Sequence, residues 1–338
     1  MERDNSGEVR WATIAKGLGI ILVVIGHYYP SYSPDYWVGF RSFIYSFHMP
    51  LFFMIAGYFA KAVDPADFPD MLGKKIRRLV VPFFCAAILL LAIKYVSGKF
   101  VALDFPVSVY SVMSVVTNPK SSFAPLLWFV YTLFMIFCVF PIAYWLHGRR
   151  ILLLLATSLA LSLLSITDYF ATNDVLRNLP YFVFGYALSN TALSRLVDVR
   201  PTVGFLLAAS VLLALHVLGS YGIMISAFSA VLAGLLGSLM CIYLSKVFES
   251  NRLLSRLLTA CGIMSMGIYL FHTVFESSVR VGFSRITSGT TSDFVFLIGA
   301  LLSITAGVLG SAMVEWFILR RYDLTRVLLL GLPKKQPD

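Results

Sequence analysis

From Ala12 to Tyr29 the chain runs ATIAKGLGIILVVIGHYY, an apolar stretch long enough at 1.5 Å per residue to cross most of a bilayer, yet interrupted by Lys16 and His27. These two residues are eleven positions apart. At 100° per residue that is three turns plus roughly 20°, so both side chains share one helix face, about 16 Å apart along the axis. An unpaired charge at the centre of a membrane helix costs on the order of 3 kcal/mol on insertion scales, so this face must meet other helices or a wet cavity rather than lipid. A bare anchor has no use for such a stripe, and it is therefore a candidate site.

The rest of the chain is built in the same material. Of 338 residues, 59% are hydrophobic and only 13% charged, which excludes a soluble globular protein and implies an all-α, polytopic bundle of transmembrane helices. The formal charge of +10 does not indicate nucleic acid, because binders of nucleic acid concentrate Lys and Arg on soluble surface that is scarce here. Apolar runs predict ten spans: 12–30, 40–60, 78–97, 123–146, 151–167, 176–189, 203–219, 222–247, 257–277 and 293–319. With the N-terminus inside, most Lys and Arg fall in inner connections: Lys61 with Lys74, Lys75, Arg77 and Arg78; Arg149 and Arg150; Arg195 and Arg200; Lys246, Arg252 and Arg256; and the run from Arg320 to Lys335. The positive-inside rule then places both termini in the cytoplasm. Residues 1–338 read as a single integral-membrane domain.

Arg10 before an apolar run resembles a signal peptide, but the run is too long and no small-x-small cleavage site follows His27, so it is expected to be retained. Cys85, Cys138, Cys241 and Cys261 all fall in apolar segments without a CxxC pair or zinc-ligand spacing, so they read as small core residues and no metal is expected. Gly17, Gly19 and Gly26 line the first helix, either for helix packing or for close approach of a ligand. Tyr36 and Trp37, after the outer turn PSYSPDYWVG, are expected in the interfacial aromatic belt.

The second run, FRSFIYSFHMPLFFMIAGYFA, meets His48 just before Pro50, which removes a backbone bond and bends the helix. Counted from the outer ends, His27 and His48 lie at similar depth, so a hairpin of the two helices makes them converge. Each reads either as a site residue or as a neutral interhelical histidine. In the ninth run His272 lies toward the outer half, with Glu276 one turn on along the same face, able to orient or charge it. Glu315 near the inner end of the tenth run is a partner for Lys16, for the basic cluster, or for solvent. KKIRRLVVPFF, carrying Lys74, Lys75, Arg77 and Arg78, either satisfies the positive-inside rule or captures a polyanion such as nucleotide phosphates. Trp128 and Tyr131 in PLLWFVYTLF are either belt aromatics or a stacking wall for a sugar ring. The apolar stretch VSVYSVMSVV in the outer loop lies along the interface or dips toward the cavity as a lid.

Together LGIILVVIGH, FHMPLFFMIAGY, RRLVVPF, LWFVYTLF and GIYLFH resemble the acyltransferase 3 family of integral-membrane O-acyltransferases, and its fucose 4-O-acetyltransferase-like branch in particular. The resemblance implies an enzyme of the bacterial inner membrane that takes an acyl group, usually acetyl, from acyl-CoA in the cytoplasm. The group is placed on a hydroxyl of a cell-surface glycan or its lipid-linked precursor. The family motif is an Arg, ten residues and a His. Here His27 matches the His and Lys16 stands at the Arg position, a departure that removes a bidentate role. The family's basic motif falls on Arg77 and Arg78 and extends to Lys74 and Lys75. Many relatives carry a fused extracytoplasmic domain of the SGNH type, which is not expected within 1–338, and a separate polysaccharide-assembly partner would supply later steps.

Acyl transfer from a thioester to an alcohol needs a base for the hydroxyl proton and positive charge for the thioester oxygen and donor phosphates. His27 is the expected base. Lys16 would position the acetyl-CoA arm, Lys74, Lys75, Arg77 and Arg78 its phosphates, and His48, His272 and Glu276 would support. Trp128 and Tyr131 are the candidates for acceptor binding. The rival class is a transporter or flippase for a lipid-linked sugar or acyl donor, which also needs intramembrane His and Lys. Against it, the ionisable groups cluster in the first, second and ninth runs, with no matched broken segments in two halves.

Overall fold

The computed structural model describes residues 9–97, 109–220, 227–287, 289 and 292–334. Part of the predicted N-terminal tail, Lys99, Lys335 and the start of the outer loop before Val109 lie outside the described residues. What is described is all-α. In chain order the helices are α1 Arg10–His27, α2 Asp35–Tyr45, α3 His48–Tyr58, α4 Phe68–Lys75, α5 Val81–Ser97, α6 Val109–Thr117, α7 Trp128–Leu146, α8 Ile151–Ser162 and α9 Thr172–Asn190. They continue with α10 Ser194–Val197, α11 Pro201–Ser220, α12 Ala227–Glu249, α13 Arg252–Ile263, α14 Ser265–Ile286, α15 Asp293–Val314 and α16 Asp323–Leu330.

Among the described residues, 7 helical stretches are long and apolar enough to cross a membrane, or up to 8 if the bent pair α13–α14 is one span. The chain is a multi-pass membrane protein. Eight of the ten predicted spans correspond to these stretches. The fifth falls on α8, whose 12 residues cover about 18 Å, well short of the roughly 30 Å hydrocarbon core. The sixth falls on α9, which is long enough but opens with Asn173, Asp174, Arg177 and Asn178. Outward faces of the clear spans carry exposed aliphatics such as Leu206, Leu207 and Leu301, as lipid contact requires.

The helices form two compact units. One comprises α1, α2, most of α3 and α10 to α15. Within it α1 is the central element, packed against α12, α13 and α14. Its glycines decide how closely. A Cβ added at Gly17 would lie 1.9 Å from the Leu258 carbonyl oxygen, and one at Gly262 would lie 2.0 Å from that of Thr13, so α1 and α13 touch backbone to backbone. Of the two roles open to Gly17, this is helix packing.

The second predicted span breaks at Ser46–Phe47, between α2 and α3, rather than at Pro50 itself. The proline ring collides with the carbonyl four residues earlier, which is that of Ser46, so the distortion appears one turn upstream. The ninth span is bent by 84° between α13 and α14. Asn251 caps α13 by accepting from the amides of Leu253 and Leu254 at 3.1 and 3.0 Å. At the start of α14 the amide of Gly267 donates to Glu315 Oε2 at 2.7 Å, which places an acidic group where the helix dipole favours one. Glu315 is thus a cap for the helix that carries His272.

The other unit comprises α4 to α8, most of α9, and α16. Between α4 and α5 the backbone widens into a π-helical turn over Ile76–Val80, where the basic cluster lies. α16 packs on α5, and Gly331, at φ 62°, ends α16 so close to the Arg78 backbone that a Cβ would sit 2.5 Å from its carbonyl oxygen. Lys120 pairs with Asp174 at the entrance to α9. α6 buries Ser111 and Val115 and exposes Val109, Tyr110 and Met113.

Candidate active site

His27 is the last residue of α1, and its ring lies 5.1 Å from that of His272 on α14, centroid to centroid. Tyr45, at the end of α2, stands 6.4 Å from His27 and 4.7 Å from His48, the first residue of α3. Three histidines from separate stretches of sequence therefore come together at the C-terminal end of α1, His27 and His48 beside Tyr45 and His272 beside His27. His272 is fully buried and His48 is 4% exposed, whereas His27 is only half-buried.

Two of the three rings are fixed by the backbone. His272 Nδ1 lies 2.9 Å from the Ile268 carbonyl and 3.0 Å from that of Tyr269, and His48 Nδ1 lies 2.9 Å from the Ile44 carbonyl. A carbonyl oxygen only accepts, so each Nδ1 carries the proton, and in the neutral ring Nε2 is left as a bare lone pair. For His272 that Nε2 is buried and has no hydrogen-bond partner among the described residues.

The end of α1 leaves backbone carbonyls without helical partners. Arg41 on α2 takes one of them, its Nε donating to the Gly26 carbonyl at 2.7 Å, and its Nη2 lies 3.3 Å from the Tyr45 hydroxyl. The guanidinium carbon sits 4.5 Å from the ring centres of both Tyr29 and Tyr45, so the cation makes contacts with two aromatic faces beside the end of α1. Arg280, one turn beyond Glu276 on α14, reaches the Tyr29 carbonyl at 3.4 Å. Glu276 is 2% exposed, one turn beyond His272 as the spacing predicts, and Gly307 of α15 packs over both.

The turn that follows is rigid for a separate reason. Trp37 Nε1 donates to the Tyr28 carbonyl at 2.9 Å, and Tyr28, Trp37, Phe296 and Ala300 form a buried cluster. Trp37 is 9% exposed, so it is a packing residue and not the belt aromatic expected; Tyr36, 50% exposed, keeps the outer position. Tyr32 donates to Asp293 Oδ1 at 2.8 Å, and donating its proton to that carboxylate raises the phenol's pKa above its ordinary value.

Lys16 is half-buried on α1, on the same face as His27 and three turns nearer the N-terminus. In the other unit the basic cluster divides. Lys75 turns inward, its Nζ 3.3 Å from the centre of the Phe137 ring, while Lys74, Arg77 and Arg78 are exposed. Trp128 receives Lys120 at 4.3 Å over its ring, and Tyr131 packs 5.6 Å from Phe83. Tyr131 also lines a mostly apolar pocket of about 100 Å³ with Leu79, Val80, Phe84 and Phe134. Among the described residues no group of three or more His, Cys, Asp and Glu is placed to hold a metal ion.

A family model described as an acyltransferase domain, that of acyltransferase 3, matches residues 9–316. The chain belongs to the acyltransferase 3 family. A nodulation protein, NolL, of Mesorhizobium japonicum is 28% identical over 160 residues, a stretch covering 45% of this chain and 40% of that relative's length. No solved structure matches the chain. The histidine cluster lies within the stretch that the family model matches.

Three neighbours of His27 escape a reading of the sequence for intramembrane charge. Arg41 counts there as an outer-edge charge, and Tyr29 and Tyr45 carry no charge that would single them out. The signal is present in the spacing: Arg41, Tyr45 and His48 stand at i, i+4 and i+7 and so share one face of the α2–α3 segment.

Proposed function

We propose that this acyltransferase moves an acetyl group from acetyl-CoA, bound from the cytoplasmic side, to a hydroxyl of a cell-surface glycan or its lipid-linked precursor. The observation that carries the reading is the pair His27–His272, a partly buried imidazole beside a fully buried one with a bare nitrogen. A ring nitrogen of His27 takes the acceptor's hydroxyl proton as the oxygen attacks the thioester carbon. The tetrahedral intermediate collapses with departure of the CoA thiolate, which recovers that proton. In this reading His272 Nε2 accepts the other N–H of His27 and holds its tautomer, and His48 and Glu276 support the ring positions.

Lys16 positions the donor arm from the inner side. The exposed Lys74, Arg77 and Arg78 grip its phosphates, whereas Lys75 is committed to Phe137. Residues 1–338 act in this reading as one acyltransferase domain with both termini cytoplasmic. The test is chemical analysis of surface glycan and lipid-linked precursors from cells with and without the gene. Loss of one ester-linked acetyl group supports the assignment; an unchanged ester content rejects it.

Donor binding is tested separately. In inside-out membrane vesicles added acetyl-CoA is expected to be used directly. The double change Arg77→Gln, Arg78→Gln should raise the donor concentration for half-maximal rate about tenfold, while the maximal rate falls by less than about threefold. Unchanged donor affinity would return these arginines to the positive-inside rule, and donor use from the opposite face only would reverse the orientation.

A further inference from the structure

Arg41 is better furnished than a helix cap needs to be. Any cation serves the carbonyls and the negative end of the dipole at a helix C-terminus, and lysine does so without a platform. Here the guanidinium carbon lies over the rings of both Tyr29 and Tyr45, 4.5 Å from each ring centre. Of its five N–H groups, those with partners among the described residues go to the Gly26 carbonyl and, at the longer 3.3 Å, to Tyr45. Among the described residues no carboxylate is ion-paired with it. A guanidinium held over aromatic faces with N–H groups to spare is the arrangement that receives a carboxylate or phosphate through two parallel hydrogen bonds.

The position of this guanidinium is equally specific. Arg41 is bonded to the carbonyl of the residue that precedes His27, and Tyr45 stands beside Arg41, His27 and His48. Tyr29 and Tyr45 remain 46% and 40% exposed, so each offers surface to a ring entering from the outer side. We infer that the Tyr29–Arg41–Tyr45 group is the acceptor subsite, and that it takes a sugar bearing an anionic group, setting a nearby hydroxyl against His27. The inference rests on the acyl-transfer reading given above and adds the acceptor's class to it. The anion comes either from a sugar carboxylate or from the phosphate of a lipid-linked precursor; both present a pair of oxygens to the same guanidinium.

The test uses full-length protein in proteoliposomes, labelled acetyl-CoA, and glycan and lipid-linked precursor purified from cells lacking the gene. Each acceptor is supplied intact, with its carboxylates reduced to alcohols, or treated with phosphatase. The half-saturating acceptor concentration is expected to rise at least about tenfold after one of the two treatments, and the treatment that does so identifies the source. Arg41→Gln and Arg41→Lys should each raise it for the intact acceptor and abolish the difference between intact and treated forms. The loss should appear in the acceptor requirement rather than in the maximal rate.

Arg41→Lys keeps the charge at the end of α1, so its melting temperature should match the unaltered protein and separate recognition from capping. Equal use of intact and treated acceptors by the unaltered protein would overturn the inference. So would a fall in maximal rate with unchanged acceptor requirement in the Arg41 variants. If the unaltered protein acetylates neither acceptor, the acyl-transfer reading itself fails, and the inference with it.

Discussion

His27→Gln is expected to reduce acyl transfer by about 10² to 10⁴ while leaving the protein inserted and folded, because it removes a base and little else. The side chain is half-buried at the last position of α1 and is held by ring contacts to Tyr45 and His272, so a neutral side chain of similar size keeps the packing. Lys16 gives the complementary result. Lys16→Arg should keep most of the activity, since the charge is retained and the family motif has Arg at this position. Lys16→Ala should lose most of it through poor donor placement. Transfer assays on purified variants at matched expression decide. Near-normal transfer by a folded His27 variant would move the base to His272 or His48.

Gly17→Ala should produce the largest loss of stability for the smallest chemical change. The added methyl would stand 1.9 Å from the Leu258 carbonyl oxygen, and the obstacle is helix backbone on both sides, with no side chain able to swing aside. The helices would have to part by more than about 1 Å, and small-to-large changes in packed interiors cost about 1–3 kcal/mol or more. Since α1 carries Lys16 and His27, the site should move with it. Gly39→Ala is the control: among the described residues nothing lies within 4 Å of the added methyl, and a helical Gly→Ala exchange is neutral or mildly stabilising. Denaturation in detergent compares the two, and equal midpoints would refute the close packing of α1 on α13. Gly262→Ala meets the Thr13 carbonyl from the other side of the same contact, so its effect should be less than additive with that of Gly17→Ala.

Much of the site was legible from residue types that membrane helices seldom carry. His27, His48 and His272 stood out because each interrupts an apolar run, and the matched depth of the first two followed from counting along neighbouring helices. The acyltransferase 3 family was legible from short motifs scattered over the same runs. Arg41 was not, since near a helix end an arginine has an ordinary explanation in topology, and only the fold shows it bonded to Gly26 beside His27. Trp37 was misplaced for a similar reason, because an aromatic after an outer turn fits the belt equally well until Phe296, far along the chain, is brought against it. Among the helices, α8 and α9 were the least legible. Window hydropathy finds an apolar stretch whether it is 12 residues long or 20, and it blurs the polar opening of α9.

The widened turn over Ile76–Val80 has a consequence for how the basic cluster can change. A π turn holds one residue more than an α turn, so it shifts the phase of everything before it by about 100° relative to the helix that follows. That shift is what lets Lys75 face Phe137 while Lys74, Arg77 and Arg78 point outward around it. Loss of a single residue from the turn would restore a continuous register and rotate α4 against α5, exchanging inward and outward charges without altering the chemistry of any side chain. The facing of these cations is therefore encoded in chain length, and a one-residue deletion there is a larger event than most substitutions of the residues themselves.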